Sequence, residues 1–182
     1  MSHSGTALID PYKIFARISL SEGKRVADLG CGRTGHFVFP AVKIVGDKGV
    51  VYAVDVVKNI LESIKSMARS EGYDNVQTVW SDIEMPGKTP IPDNSLDAAF
   101  CVNVLFQLKN KAGAIKEAAR MLKKGGYLVV VDWAKRLGML GPAEDRMLNP
   151  DEVEGLAVSE NLKLVDKILP GDYHYSLIFE KN

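Results

Sequence analysis

Acids and amides recur where short apolar runs of this chain stop. Asp28 lies in Arg25-Val-Ala-Asp-Leu29 and opens the run Asp28-Leu-Gly30-Cys-Gly32-Arg-Thr-Gly35. Asp55 follows Val50 to Val54, Asp82 follows Val76 to Trp80, Asn103 follows Leu96 to Val102, and Asp132 follows Tyr127 to Val131. The glycine spacing is what a backbone needs to approach a ligand closely and to aim helix amides at it. Asp55, 20 positions beyond Gly35, stands where a carboxylate accepts both hydroxyls of a ribose; capping a helix that starts near Val57 is the plainer role of the same side chain. Asp82 can accept from an exocyclic adenine amine while Ile83 packs the ring, although alone it reads as a turn residue. Asp132 is a candidate general base or amine-orienting group, with a cap or surface acid as the alternative. His174, between Tyr173 and Tyr175, is a second and weaker candidate, since a lone strand histidine is more often a packed or solvated residue. Tyr12, Phe15 and Trp133 are candidates to close over bound molecules.

For these residues to meet, the chain must bring the strand ends to one side of a sheet. Apolar runs alternate with segments of helical period, which marks a parallel sheet covered by helices on both faces, so the expected fold class is α/β. Helices are predicted from about Gly35 to Val45, from Val57 to Glu71, from Lys111 to Leu122, and from Pro150 onward, where a proline and two acids suit a first turn. The second carries Ile60, Leu61, Ile64, Met67 and Ala68 on one stripe. Gly125-Gly126 is expected to break the chain before a fifth strand, Tyr127 to Val131. Pro86, Pro90 and Pro92 make the connection between the third and fourth strands a loop. Leu162 to Leu169 and Tyr173 to Glu180 flank Pro170-Gly171-Asp172, too short for a parallel crossover, so the sheet ends in an antiparallel hairpin.

Composition narrows the function classes. A chain of 182 residues can bury roughly 70% of its unfolded surface in one core without disulfides or a structural metal, and one domain spanning residues 1–182 is expected. With 23 Lys+Arg against 23 Asp+Glu, the excess cation that phosphate neutralisation needs is missing, which argues against nucleic-acid binding. Cys31 and Cys101 lack the close spacing of zinc or redox pairs. No run approaches the ~20 apolar residues that span a bilayer, and the start is polar. A cytoplasmic protein with no membrane association is the expectation.

Val26-Ala-Asp-Leu-Gly-Cys-Gly32, Val51-Tyr-Ala-Val-Asp55, Ser81-Asp82, Leu96-Asp-Ala-Ala-Phe-Cys-Val-Asn103 and Leu122-Lys-Lys-Gly-Gly-Tyr-Leu-Val-Val131, in that order, resemble the class I S-adenosylmethionine-dependent methyltransferases. The chain is similar to their small ubiquinone/menaquinone-biosynthesis-like branch. The resemblance implies a doubly wound, Rossmann-like, mostly parallel seven-stranded sheet and S-adenosylmethionine as cofactor. By it, Gly30 and Gly32 would lie against the methionine part, Asp28 would orient the loop and its ligand, and Asp55 would hold the ribose. Val56, Asp82 and Ile83 would enclose the adenine, and Asn103 and Val104 would contact the cofactor from the other side. Relatives often read GxGxG, whereas one extra residue precedes Gly35 here, so neither Gly35 nor Arg33 is carried over. The acceptor side would comprise Asp132 and His174 as catalytic residues and Tyr12 and Trp133 as substrate contacts. Residues 1–24 would form an N-terminal cap segment and residues 134–149 an acceptor-side loop.

The acceptor is expected to be a small molecule or a protein. The fourth strand ends Cys101-Val-Asn103-Val rather than in the D/N-P-P-Y/F run of DNA and glutamine methylases. Two cysteines cannot supply an arsenite site, and Asn103 with Asp132 offers too few oxygens for Mg²⁺, so no metal is assigned. A nicotinamide-dependent oxidoreductase shares the glycine fingerprint with a later acid but leaves Asp28 and Asp82 without a purpose. A non-catalytic S-adenosylmethionine-binding module is the other alternative.

Overall fold

A computed structural model describes residues 8–182; His3 and the rest of residues 1–7 of the expected cap segment lie outside the described residues. Strands β1 (Arg25–Leu29), β2 (Val50–Asp55), β3 (Val76–Trp80), β4 (Leu96–Val102) and β5 (Leu122–Trp133) run parallel. Beside β5 lie β7 (His174–Lys181) and, at the edge, β6 (Leu162–Gly171), with β7 antiparallel to both neighbours. The order is β3-β2-β1-β4-β5-β7-β6. The chain thus winds outward from β1 in one direction, returns, and winds outward from β4 in the other. Where β1 and β4 adjoin, their following loops diverge to opposite faces and leave a crevice at the strands' C-terminal ends. The expected α/β, seven-stranded, doubly wound sheet with a terminal hairpin is the observed one.

Helices α1 (Pro11–Arg17), α2 (Val38–Val45) and α3 (Lys58–Ser70) cover one face, and α4 (Lys111–Met121) and α5 (Pro150–Ser159) the other. On the first face Phe15, Phe37 and Phe100 meet with ring centroids 5.3 to 5.6 Å apart. All three are fully buried, each worth about 1.5–3 kcal/mol of apolar transfer. On the second face Ile115, Ala118 and Met121 of α4 and Val153 of α5 pack on Leu29, Ala99, Val130 and Phe179. The predicted stripe of α3 places Leu61, Ile64 and Ala68 in the core as expected.

Two elements differ from expectation for identifiable reasons. Regular helix begins at Val38 rather than near Gly35, because Pro40 has no N–H to bond back to residue 36 and fits only in a first turn. Strand β5 begins at Leu122, before the Gly125-Gly126 pair: Leu96 pairs with Leu122 and Ala98 with Tyr127, so residues 123–126 bulge out of the ladder. A Cβ on Gly126 would sit 3.0 Å from the Leu96 carbonyl, which is why a glycine passes there. The Pro-rich loop between β3 and β4 is pinned by the buried Glu117 of α4. Its carboxylate accepts from Gly87 N (2.6 Å) and Thr89 N (2.8 Å) and from Arg120 Nε (2.8 Å). Arg120 in turn donates to the Thr89 and Ile91 carbonyls. Burial alone would raise the Glu117 pKa, but these hydrogen bonds hold it at about 2. Side chains thereby satisfy a loop backbone that has no ladder of its own.

Candidate functional site

The ends of β1 to β4 each deliver one polar side chain to the crevice, Asp28, Asp55, Asp82 and Asn103. Two adjoining cavities occupy it, of about 520 and 350 Å³. The larger is lined by Gly30, Gly32, Asp55, Val56, Asp82, Ile83, Asn103 and Val104, together with residues that motif reasoning passed over: Val57, Ile60, Ser81, Glu84, Gln107 and Leu108. The smaller is lined by Asp28, the same glycine loop, Asn103 and Gln107, and by Leu8, Ile9, His36, Phe37, Val102 and His174. Gly30, Gly32, Asn103 and Gln107 border both. The nine residues expected to bind cofactor therefore line these two cavities.

The glycine loop is shaped by what a side chain would strike. Gly30 has φ +85°, and a Cβ there would lie 2.7 Å from Val104 Cγ2, so β1 and β4 can close the crevice floor only with glycine in this place. Gly32, at φ +63°, faces open space, and that space is the cavity. Gly35 lines neither cavity; a Cβ on it would strike Phe39 and Ile64, so it serves packing. Arg33 is exposed and lines neither.

Asp55 serves both roles raised for it. One carboxylate oxygen accepts from Val57 N at 2.9 Å, fixing the entry to α3, and the other accepts from Gly32 N at 3.3 Å, tying the glycine loop to β2. A carboxylate has about four acceptor positions, so two remain for ligand hydroxyls. Asp82 bonds Glu84 N at 3.0 Å in the turn expected of it while its side chain lines the larger cavity beside buried Ile83. Val56 is half exposed at the cavity edge, its carbonyl held by the Trp80 indole N–H at 2.9 Å. Asn103 carries φ +54°, a conformation asparagine tolerates better than most residues. Its carbonyl accepts from Gln107 Nε2 at 2.8 Å.

Among the described residues, six buried side-chain polar atoms have no hydrogen-bond partner, and four belong to residues of the smaller cavity: Asp28 Oδ1, Asn103 Oδ1, and both ring nitrogens of His174. A buried polar group left unpaired costs about 1–3 kcal/mol, so their gathering around one cavity marks a ligand position. Burial, and secondarily the Asp55 charge, pushes the Asp28 carboxyl up to about 7. Burial pushes the His174 imidazole down to about 4, the backbone at Leu8 opposing in part. The set fits S-adenosylmethionine: a buried carboxyl with no cation beside it among the described residues, carboxylate positions free for a ribose, and an apolar pocket with an acid for adenine.

The acceptor-side expectations need correction at three residues. Asp132 lines neither cavity. It lies opposite Tyr175 in the ladder and so points to the α4–α5 face, where its oxygens accept from Trp133 N at 2.8 Å and Phe106 N at 3.4 Å. Burial holds its carboxyl up at about 6. Trp133 also lines neither cavity; its ring lies tilted against His174, centroids 4.3 Å apart, and Gly141 of the 134–149 loop abuts its other parts. That loop contributes no lining residue and instead backs Trp133. Tyr12 is half exposed on α1, its ring 6.2 Å from Phe15, and Leu8 and Ile9 line the cavity in its stead. His174 is where it was expected to be. His36, with no motif to recommend it, lines the same cavity and holds the Ile9 carbonyl with Nε2 at 2.9 Å. Gln107 carried one faint signal: it stands four residues beyond Asn103, one turn along.

Comparison with known proteins agrees with this geometry. A family model described as a methyltransferase domain matches residues 20–167. An aklanonic acid methyltransferase, DauC, of Streptomyces sp. (strain C5) is 32% identical over 116 residues, 64% of this chain and 51% of that protein. A ubiquinone/menaquinone biosynthesis C-methyltransferase, UbiE, of Vibrio cholerae serotype O1 (strain ATCC 39541) is 35% identical over 117 residues, 62% of this chain and 42% of that protein. The chain thus spans about half the length, or less, of these curated relatives. The crystal structure of a SAM-dependent methyltransferase from Aquifex aeolicus superposes with a TM-score of 0.87 at 27% identity, covering 98% of this chain and 93% of the other. A family model over most of the chain, a shared fold and a matching crevice together mean that this chain belongs to the methyltransferase-domain family, with the fold of the S-adenosylmethionine-dependent methyltransferases.

Proposed function

We propose that this chain transfers a methyl group from S-adenosylmethionine to a small-molecule acceptor in the cytoplasm. The observation that carries the reading is the pair of unpartnered buried oxygens, Asp28 Oδ1 and Asn103 Oδ1, beside a glycine loop at the point where the strand order reverses. Asp55 would take the ribose hydroxyls, and Val56, Asp82 and Ile83 the adenine. Gly30, Gly32 and Val104 would bound the narrow passage between the cavities, and Asp28 would face the methionine ammonium. When bound, the cofactor supplies a methyl carbon already activated by its sulfonium. The protein's share is therefore to align that carbon with a nucleophile, exclude water and accept a proton where the nucleophile carries one. Asp28 also speaks against the nicotinamide alternative, because a pyrophosphate over the glycine loop would bring two negative charges to a buried carboxylate that has no cation.

The smaller cavity, behind the Leu8–Ile9 segment, supports a small-molecule acceptor over an exposed protein side chain. Two free, buried thiols, Cys31 and Cys101, are in keeping with a reducing compartment. Among the described residues no helix is long and apolar enough to cross a membrane. Calorimetric titration of the full chain with S-adenosylhomocysteine and with NAD tests the reading: binding of the first and none of the second is expected, and the reverse would end it.

A further inference from the structure

His174 is 1% exposed; among the described residues its ring nitrogens make no hydrogen bond of standard geometry, and the Leu8 backbone is the group that interacts with the ring. The His174 ring lies tilted at 42° against Trp133, centroids 4.3 Å apart, and the residue lines the smaller cavity but not the larger. Asp28 and Asn103 answer to the cofactor; nothing in the cofactor reading answers to His174. The rest of that cavity's wall is informative by charge. Among the described residues no Lys or Arg lines it, the one carboxylate is Asp28, the other imidazole, His36, is engaged at Nε2 by the Ile9 carbonyl, and Leu8, Ile9, Phe37 and Val102 are apolar.

We infer, on the footing of the cofactor reading, that this cavity takes an uncharged, partly apolar small molecule whose methyl-accepting O–H or N–H points at His174, and that His174 receives the proton. A neutral imidazole presents one acceptor and one donor nitrogen, and a hydroxyl or amine satisfies both kinds. Burial keeps the free ring neutral. An anionic acceptor would find no Lys or Arg on this wall among the described residues and would lie beside Asp28, with only the cofactor's own cations to offset it. An ammonium would have no lone pair to attack with. The cavity of about 350 Å³ would be shared with the cofactor's methionine end beside Asp28, which leaves room for a small acceptor only. The segment that closes it is tied down twice, by the Ile9 carbonyl on His36 at 2.9 Å and by Asp10 N on the Pro170 carbonyl at 3.3 Å.

The transfer balances. The acceptor's lone pair forms the new bond to the methyl carbon, the carbon–sulfur pair returns to sulfur as a neutral thioether, and the acceptor proton passes to the unprotonated ring nitrogen. One positive charge leaves sulfur and one appears on His174, so the net charge around Asp28 is unchanged and no new uncompensated charge is created in the cavity.

The test uses the full chain saturated with S-adenosylhomocysteine and the probes phenol, aniline, anisole and benzoate, read by calorimetry and by histidine ring NMR. Only three histidines are present, and His174→Gln and His174→Phe assign the signals. Phenol or aniline is expected to bind and shift the His174 ring resonances, with anisole and benzoate weaker by roughly tenfold, the scale of one hydrogen bond. With His174→Phe, which offers no hydrogen bond, the preference for phenol over anisole should vanish while S-adenosylhomocysteine still binds; His174→Leu covers the case in which Phe disturbs the fold. Binding of benzoate or anisole as tight as phenol, unmoved His174 signals, or no binding of either donor probe overturns the inference. Failure of S-adenosylhomocysteine to bind the wild-type chain would instead remove the cofactor reading beneath it.

Discussion

Asp132 and His174 stand on opposite faces of the sheet, although both lie at the junction of β5 and β7. Asp132 is opposite Tyr175 and His174 is opposite Trp133 in the same antiparallel ladder, and one step along a strand reverses the face. Only His174 reaches the crevice. Asp132→Asn should therefore leave S-adenosylhomocysteine affinity within about twofold, and stability within about 1 kcal/mol, since the variant keeps an oxygen for Trp133 N. Calorimetry and urea melts on the same preparation check it. A tenfold loss of affinity would return Asp132 to the site.

Asp55→Ala should weaken S-adenosylhomocysteine binding by about 1.5–3 kcal/mol, because it removes a charge-assisted acceptor of ribose hydroxyls. It also frees Val57 N and Gly32 N, so a lower melting temperature should accompany the loss. A melting shift with unchanged affinity would leave only the capping role.

The two loop glycines should separate fold from ligand. Gly30→Ala drives a Cβ into Val104 at 2.7 Å and forces a left-handed alanine, so it should lower stability and binding together. Gly32→Ala meets no protein atom within 4 Å. Its stability cost should be only the conformational one, about 1–2 kcal/mol, while its methyl projects into the cavity and binding falls further than stability accounts for. Thermal melts beside titrations distinguish the two.

The Asp28 carboxyl, held near 7 by burial and by Asp55, should couple cofactor binding to pH. Below that value the free protein carries a proton there which a bound ammonium must expel. Affinity should hence rise with pH, by at most about tenfold per unit, and level off above 7. In the ligand-free chain the sign for folding is the opposite. From the ordinary 3.8 up to 7 the folded state holds a proton that the unfolded state has released, so this group's contribution to stability falls as pH rises. Asp28→Asn should flatten both trends.

Glu117 acts in the other direction. Its pKa lies at about 2 against an ordinary 4.5, so the stability it contributes is complete above pH 4.5 and drains away as pH falls toward 2. Glu117→Ala, which leaves Arg120 and two loop N–H groups without their acceptor, should cost about 3–5 kcal/mol and remove that part of the acid transition. Denaturant titrations from pH 2 to 7 would show it.

Strands and cofactor-side acids were legible because both are local. β1, β3 and β4 begin and end where their apolar runs do, and Asp28, Asp55 and Asp82 sit at or just beyond strand ends whatever the register. The acceptor side is set by pairing instead. Whether residue 132 or 133 faces the crevice depends on which residue of β7 lies opposite, and sequence alone does not carry that alignment. Leu8 and Ile9 escaped notice for a related reason: apolar residues in a short segment signal burial but not against what. The early start of β5 was hidden by Gly125-Gly126, which reads as a break and serves as a bulge.

The two cavities share only Gly30, Gly32, Asn103 and Gln107, and their remaining walls come from different parts of the chain. Strand ends embedded in the core make the larger, while the Leu8–Ile9 segment, the α2 approach and the start of β7 supply much of the smaller. Substitutions in those outlying pieces can therefore accumulate without disturbing what the strand ends hold. On the function proposed above, a lineage carrying this chain could change the molecule it modifies while keeping the donor it uses.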